Sequence, residues 1–263
     1  MKSRRGRIEC ELAFSRTELI VVVAVAGVLI LAGISGRAGA RNRVYQTVDL
    51  DNHGRILKAV NSYAVDHTDF LPNVGWGTTR DCWAHAANIP VGGASSVASY
   101  EVAHEQQLTF VTNGQLFPYL NDSRVLMCPA DKPDGVLFWQ RSIYITSYTW
   151  NGAVNGYGYL TNSYKLSQFG PDSVLDWEAD ENLPFFINDC SEFPDEGFSG
   201  RHSPEALVGQ FGGSVTTVLT TNWYSKNLAG PLFSSPHGSG VPSNLLPNRV
   251  WCNPRCSDGV ACP

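Results

Sequence analysis

His202, five acids between Asp172 and Glu181, and a set of cysteines are the residues whose types could bind a metal, move a proton or form a covalent link. His202 could act as a ligand or a general base. No second His or Cys stands at ligand spacing from it, so a hydrogen bond to a loop beside a hairpin is the expected role. Asp172, Asp176, Glu178, Asp180 and Glu181 offer the oxygens that calcium takes. They lack the EF-hand spacing and its glycine. Solvated surface acids are expected, with Asp176, Glu178 and Asp180 the nearest approach to a calcium set. Cys252, Cys256 and Cys262 form a dense tail with C-x3-C spacing, where metal binding favours C-x2-C. Disulfides are therefore expected there, and Cys82, Cys128 and Cys190 carry no catalytic motif and are expected to pair as well. No G-x-S-x-G elbow occurs and no Gly-rich phosphate loop follows an expected strand. The sequence predicts neither an enzyme nor a bound cofactor.

Such residues need elements to hold them. Ala206–Phe211 and Ser214–Leu219 read as two short strands, and Gly212-Gly213 supplies a turn with positive φ between them. Ser142–Trp150 alternates with the period of a strand. Cys128-Pro129 is expected to close another, since proline blocks its extension. Upstream, Ile56, Leu57, Val60, Tyr63 and Ala64 recur at three- and four-residue spacing, one apolar stripe on a helix. That helix continues to about Asp66, and Pro72 marks its limit. Hydrophobic residues make up 43% of the chain, enough for a packed core. The net charge of −5 argues against nucleic acid as a partner.

The N-terminus has a different character. Lys2, Arg4, Arg5 and Arg7 precede an apolar run from Leu19 to Ile34, and Glu18 stands directly before that run. A basic head followed by an apolar run is a targeting pattern, with the basic end cytoplasmic. A spanning helix needs about 20 residues, and Phe14, Thr17 and Ser35 bring the run near that length. Ala38-Gly39-Ala40 would suit signal peptidase, so release after Ala40 is an alternative, as is a plain single-pass anchor that never polymerises. Six of the seven cysteines follow the run and would meet an oxidising compartment if it exports them.

A short basic leader, Ala13, then Phe14, with Glu18 four positions on and an apolar helix behind it, resembles the leader of type IV pilins and type II secretion pseudopilins. Further pieces resemble a large group of pilin-like proteins, in the same order. Tyr63-Ala64 is followed by Asp69-Phe70-Leu71-Pro72, then by Leu116-Phe117-Pro118-Tyr119-Leu120, Met127-Cys128-Pro129-Ala130-Asp131 and Ser147-Tyr148-Thr149-Trp150-Asn151-Gly152. Arg201-His202 and Gly212-Gly213 resemble that group's H-x9-D-G signature, with Gly212 in place of Asp.

The resemblance implies cleavage between Ala13 and Phe14 by a prepilin peptidase and methylation of the new amine. It also implies assembly through Glu18, which would neutralise a neighbouring subunit's amine as the helices stack. The expected partners are other pseudopilin subunits, the peptidase, an inner-membrane secretion apparatus and the lipid bilayer. The expected location is the bacterial inner membrane, single-pass, with the globular part periplasmic or in an extracytoplasmic filament. The expected fold is α+β and pilin-like, a long N-terminal helix packed on an antiparallel sheet, with long loop insertions around 75–96 and 160–194. The expected divisions are a leader over 1–13, a helix over 14–72 whose membrane half covers about 14–35, and a β-rich globular part over 73–263.

Overall fold

The computed structural model describes residues 15–260, except for the side chains of residues 29–40. Ala13, Phe14 and Cys262 lie outside it. The chain divides into two compact units, one ending at Val44 and one starting at Tyr45. Helix α1 covers Arg16–Asp66. Its start carries a reciprocal cap: Ser15 N–H donates to Glu18 Oε2 at 2.8 Å, and Glu18 N–H donates to Ser15 Oγ at 3.2 Å. Ser-x-x-Glu satisfies two otherwise orphaned donors at a helix N-terminus. Among the described residues no helix is long and apolar enough to cross a membrane.

The second unit is α+β. Its sheet has five strands in the order β3-β1-β2-β4-β5, formed by β1 (Tyr148–Asn151), β2 (Val174–Glu178), β3 (Ser191–Glu192), β4 (Glu205–Gln210) and β5 (Val215–Leu219). Pairing is antiparallel except between β1 and β3, which run parallel. The sheet is therefore mixed and not wholly antiparallel. The parallel edge arises because β3 is a two-residue strand reached through a long connection, not a hairpin. Ile56, Leu57, Ala59 and Val60 of α1 share one core with Trp150, Val174 and Val208 of the sheet, so the apolar stripe does face the strands.

Four details differ from the sequence expectations. The segment 160–194 is not an insertion: it contains β2, the central strand. All five residues of β2 are buried, so the strand lacks the alternation that marks a half-exposed one. Ser142–Ser147 does not join β1. Its backbone is taken by loop and side-chain partners, with Ser142 N–H donating to Ile187 O at 3.0 Å and Tyr144 N–H to Gln107 Oε1 at 2.8 Å. Cys128 follows a short 3-10 turn, Ser123–Leu126, and closes no strand. Finally, α1 ends at Asp66 as expected, but through its own exit and not at Pro72. Thr68 and Asp69 adopt φ of 54° and 74°, and Asp69 N–H donates to Ala64 O at 2.7 Å, a left-handed helix exit.

The β4–β5 hairpin forms as expected, but its turn has three residues and not the two of Gly212-Gly213. Gly213 N–H donates to Gln210 O and Gln210 N–H to Ser214 O, each at 2.9 Å. Only Gly213 needs positive φ, at 87°. Gly212 is required for another reason: a Cβ there would lie 2.6 Å from Pro171 O. The Gly in place of the group's Asp thus matches a close backbone approach.

Candidate functional site

The face of the sheet under α1 carries a buried ionic cluster. The apolar stripe of α1, followed back by helical spacing from Ile56, reaches His53, Asn52 and Asp49, all buried. β2 turns Asp176 and Glu178 toward them, two residues apart on one face. A register shift in the β2–β4 pairing lies between Val174 and Asp176. Opposite it, Gly209 leaves room for the carboxylate, since a Cβ there would collide with Asp176 Oδ1. The loop before β4 contributes Arg201 and His202.

Each buried charge has an opposite partner. His53 Nδ1 lies 3.0 Å from Asp176 Oδ1. Arg201 Nη1 donates to Glu178 Oε2 at 2.6 Å, and its Nη2 lies 3.2 Å from Asp131 Oδ1. Arg141 grips Asp131 with two bonds of 2.7 and 3.0 Å. His202 Nε2 lies 3.3 Å from Glu178 Oε1 and 3.2 Å from Cys128 Sγ. Asp49 accepts from the Tyr148 hydroxyl at 2.6 Å. Its other oxygen has no hydrogen-bond partner and lies 3.9 Å from His53 Nε2 and 3.7 Å from His202 Nε2.

The electrostatics follow from burial and pairing. Burial, then the Glu178 charge, pushes the Asp49 carboxyl up to about 7. Burial opposes protonation of His53, but Asp176 and Asp49 outweigh it and raise the imidazole to about 9. Burial would raise Glu178, yet Arg201 and His202 hold it well below the usual carboxylate range. Burial and the carboxylates of Glu178 and Asp49 push the Cys128 thiol up, so this sulfur is a neutral hydrogen-bonding group and not a nucleophile. Asp49, Cys128, Glu178 and His202 offer donor atoms within 4.8 Å of one another. The guanidinium of Arg201 on Glu178 already supplies the positive charge that a metal ion would bring. The cluster can clamp the helix to the sheet and take up protons.

A second polar cluster is buried in the same core. Cys82, His85 and Cys190 are all fully buried, and their donor atoms also fall within 4.8 Å of one another. The Cys82–His85 turn is fixed by its own backbone, with Cys82 N–H donating to His85 O at 2.8 Å. Trp83 stacks on Trp150 at 5.0 Å, and its indole N–H donates to Cys190 O at 3.0 Å. Burial opposes ionisation of Cys82, but the adjoining Cys190 and His85 side chains bring the thiol down to about 5.

The sequence-predicted residues are distributed as follows. His202 does not hydrogen-bond a loop beside the hairpin; it reaches across the sheet to Glu178 and Cys128. Asp176 and Glu178 are buried ion-pair members, not solvated acids, and they face different cations. Asp180 is half-buried and accepts from Asn182 N–H at 2.9 Å, Glu181 accepts from Ser199 Oγ at 2.8 Å, and Asp172 is exposed. Cys82, Cys128, Cys190 and Cys252 are free thiols, which corrects the expectation that they pair. Cys128 faces an imidazole, and Cys252 lies 3.7 Å from Asn151 Nδ2. Cys256 is disulfide-bonded. Asp49, His53 and His85 were not singled out from sequence. The first two were findable as polar residues inside a core stripe, and His85 as the end of a Cys-x2-His spacing.

No protein-family model, no curated protein and no solved structure matches this chain.

Proposed function

We propose that this chain is a filament subunit of the pilin and pseudopilin kind, with assembly, not catalysis, as its work. It would be trimmed between Ala13 and Phe14, held in the inner membrane by the run from Leu19 to Ile34, and joined to other subunits through that helix. The observation that carries the reading is the start of α1. Leu19, Ile20, Val21, Val22, Val23, Val25 and Val28 are each more than half exposed. Apolar side chains in so dense a series need cover from lipid or from other helices. The motifs from Tyr63 to Gly213 support the same reading, and so does a helix packed on a sheet in the second unit.

Glu18 then has two roles to separate. Its carboxylate caps its own helix through Ser15, and the proposal adds a contact with a neighbouring subunit's N-terminal amine. Gln can fill the same place in a capping box but carries no charge. Glu18→Gln is therefore expected to insert into the membrane normally and to fail to enter filaments, read by crosslinking between subunits. Normal incorporation would sink the charge-pairing role.

The whole reading is tested by the N-terminus of the protein isolated from its native membrane. N-methylated Phe14 is the expected result. A start at Arg41 would mean a released domain, and an uncut chain a plain anchor.

A further inference from the structure

The cluster of Cys82, His85 and Cys190 is unused by the filament reading, and it has the composition of a metal centre. His85 Nδ1 is engaged with Ala86 O at 2.8 Å. Its Nε2 is buried and has no hydrogen-bond partner. Metal-binding histidines are commonly held in this way, with one ring nitrogen on a backbone carbonyl and the other free for the ion. Two sulfurs and this nitrogen lie within 4.8 Å of one another. The ionic cluster under α1 includes the guanidinium groups of Arg141 and Arg201, whereas the basic group among these three residues is the His85 imidazole.

Gly75 completes the surroundings. It adopts φ of 101°, and a Cβ there would lie 2.9 Å from Cys190 Cβ and 3.3 Å from Cys82 Sγ. The same glycine lines a cleft of ≈ 190 Å³ with Asn73, Trp76, Arg80 and Asp81. Gly75 therefore lies against Cys82 Sγ and Cys190 Cβ and also lines the cleft.

We propose that Cys82, His85 and Cys190 bind one zinc ion through two thiolates and His85 Nε2, with the fourth position open toward the cleft at Gly75. Two thiolates and an imidazole are a known zinc donor set, and their softness disfavours calcium and magnesium. A disulfide between Cys82 and Cys190 would use both sulfurs and leave His85 Nε2 buried and unpaired. Zinc satisfies all three groups. It would pin the irregular segment around 73–96 to the sheet, because Cys190 O accepts from Trp150 N–H of β1 at 3.1 Å. The inference does not rest on filament assembly, and its test does not depend on processing at Phe14.

The experiment is elemental analysis of the full chain, isolated without chelator, with peptide mapping of its thiols after denaturation. About one zinc per chain is expected, with Cys82 and Cys190 recovered as free thiols. Cobalt(II) in place of zinc should give thiolate-to-metal charge-transfer absorption. Cys82→Ser with Cys190→Ser should abolish metal and absorption, while Cys252→Ser keeps both. A Cys82–Cys190 disulfide and no zinc would overturn the proposal, as would undiminished zinc in the double variant. If the double variant fails to fold, the wild-type metal content, cobalt spectrum and thiol state still decide.

Discussion

The two buried polar clusters solve the same problem with different residues. Under α1, the carboxylates of Asp131, Asp176 and Glu178 meet Arg141, Arg201, His53 and His202 within 2.6 to 3.3 Å. Charge is balanced by side chains drawn from α1, β2 and three loops. Cys82, His85 and Cys190 come from two segments and bring no lysine or arginine. An ionic cluster that contains its own counter-charges is fixed once the chain folds. A cluster of donors without a cation depends on what the surroundings supply. The first should respond to pH and to loss of any one member, and the second to metal and redox conditions.

The largest test of that contrast is Arg201→Met. It leaves the buried Glu178 to His202 and Asp131 to Arg141, and loss of one member of a buried ion-pair network costs about 3–5 kcal/mol. The thermal midpoint of the full chain should fall by roughly 10 °C, with zinc content unchanged. A small shift would mean that solvent reaches these acids.

Proton uptake gives the next largest effect. Asp49 moves from 3.8 to about 7 on folding, and His53 from 6.5 to about 9. Both bind their proton more tightly in the folded state. The Asp49 contribution is complete below its unfolded value and is lost as pH rises through about 7. The His53 contribution is complete below 6.5 and is lost as pH rises through about 9. Between pH 6.5 and 9 the loss linked to His53 is on the order of 3 kcal/mol. His53→Gln should flatten that window in melts taken across it, and stability that rises with pH there would contradict the assignment.

The thiol cluster should respond to chelator. Removing zinc held at 100 times its dissociation constant costs about 2.7 kcal/mol, visible as a lower midpoint in wild type and not in Cys82→Ser with Cys190→Ser. Gly75→Ala should cost somewhat less, about 1–3 kcal/mol, and should also reduce zinc content, since the new Cβ presses on both cysteines. Destabilisation with full zinc would place the strain in the loop alone.

The two clusters also differ in how far they could be read in advance. The hairpin was legible because glycine pairs and alternating residues are local signals. The stripe Ile56-Leu57-Val60-Ala64 was legible because its spacing is helical. The ionic cluster was hidden by its own chemistry: Asp176 and Glu178 have the composition of a solvated surface, and only the cations from distant segments make their burial affordable. β2 disappeared with them, because a strand covered on both faces shows no period. Trp177 on its other face packs against Trp223 at 5.2 Å. Cys82-x2-His85 was local but lacked its third member, since Cys190 lies more than a hundred positions away and joins it only through the sheet.

The smallest expected effect is the sharpest test, because one substitution can be made in both clusters. Cys128→Ser keeps a hydrogen-bonding atom beside His202 Nε2 and Ala130 N–H, so it should cost about 1 kcal/mol and leave zinc content untouched. Cys190→Ser removes one of two thiolates and should lower zinc content sharply. Asp49, Cys128, Glu178 and His202 also form a compact donor set. If Cys128→Ser is the variant that loses metal, the ion sits under α1, Arg201 does not substitute for it, and the contrast between the clusters is reversed. Intact zinc in Cys128→Ser beside depleted zinc in Cys190→Ser would assign side-chain neutralisation to one cluster and metal to the other.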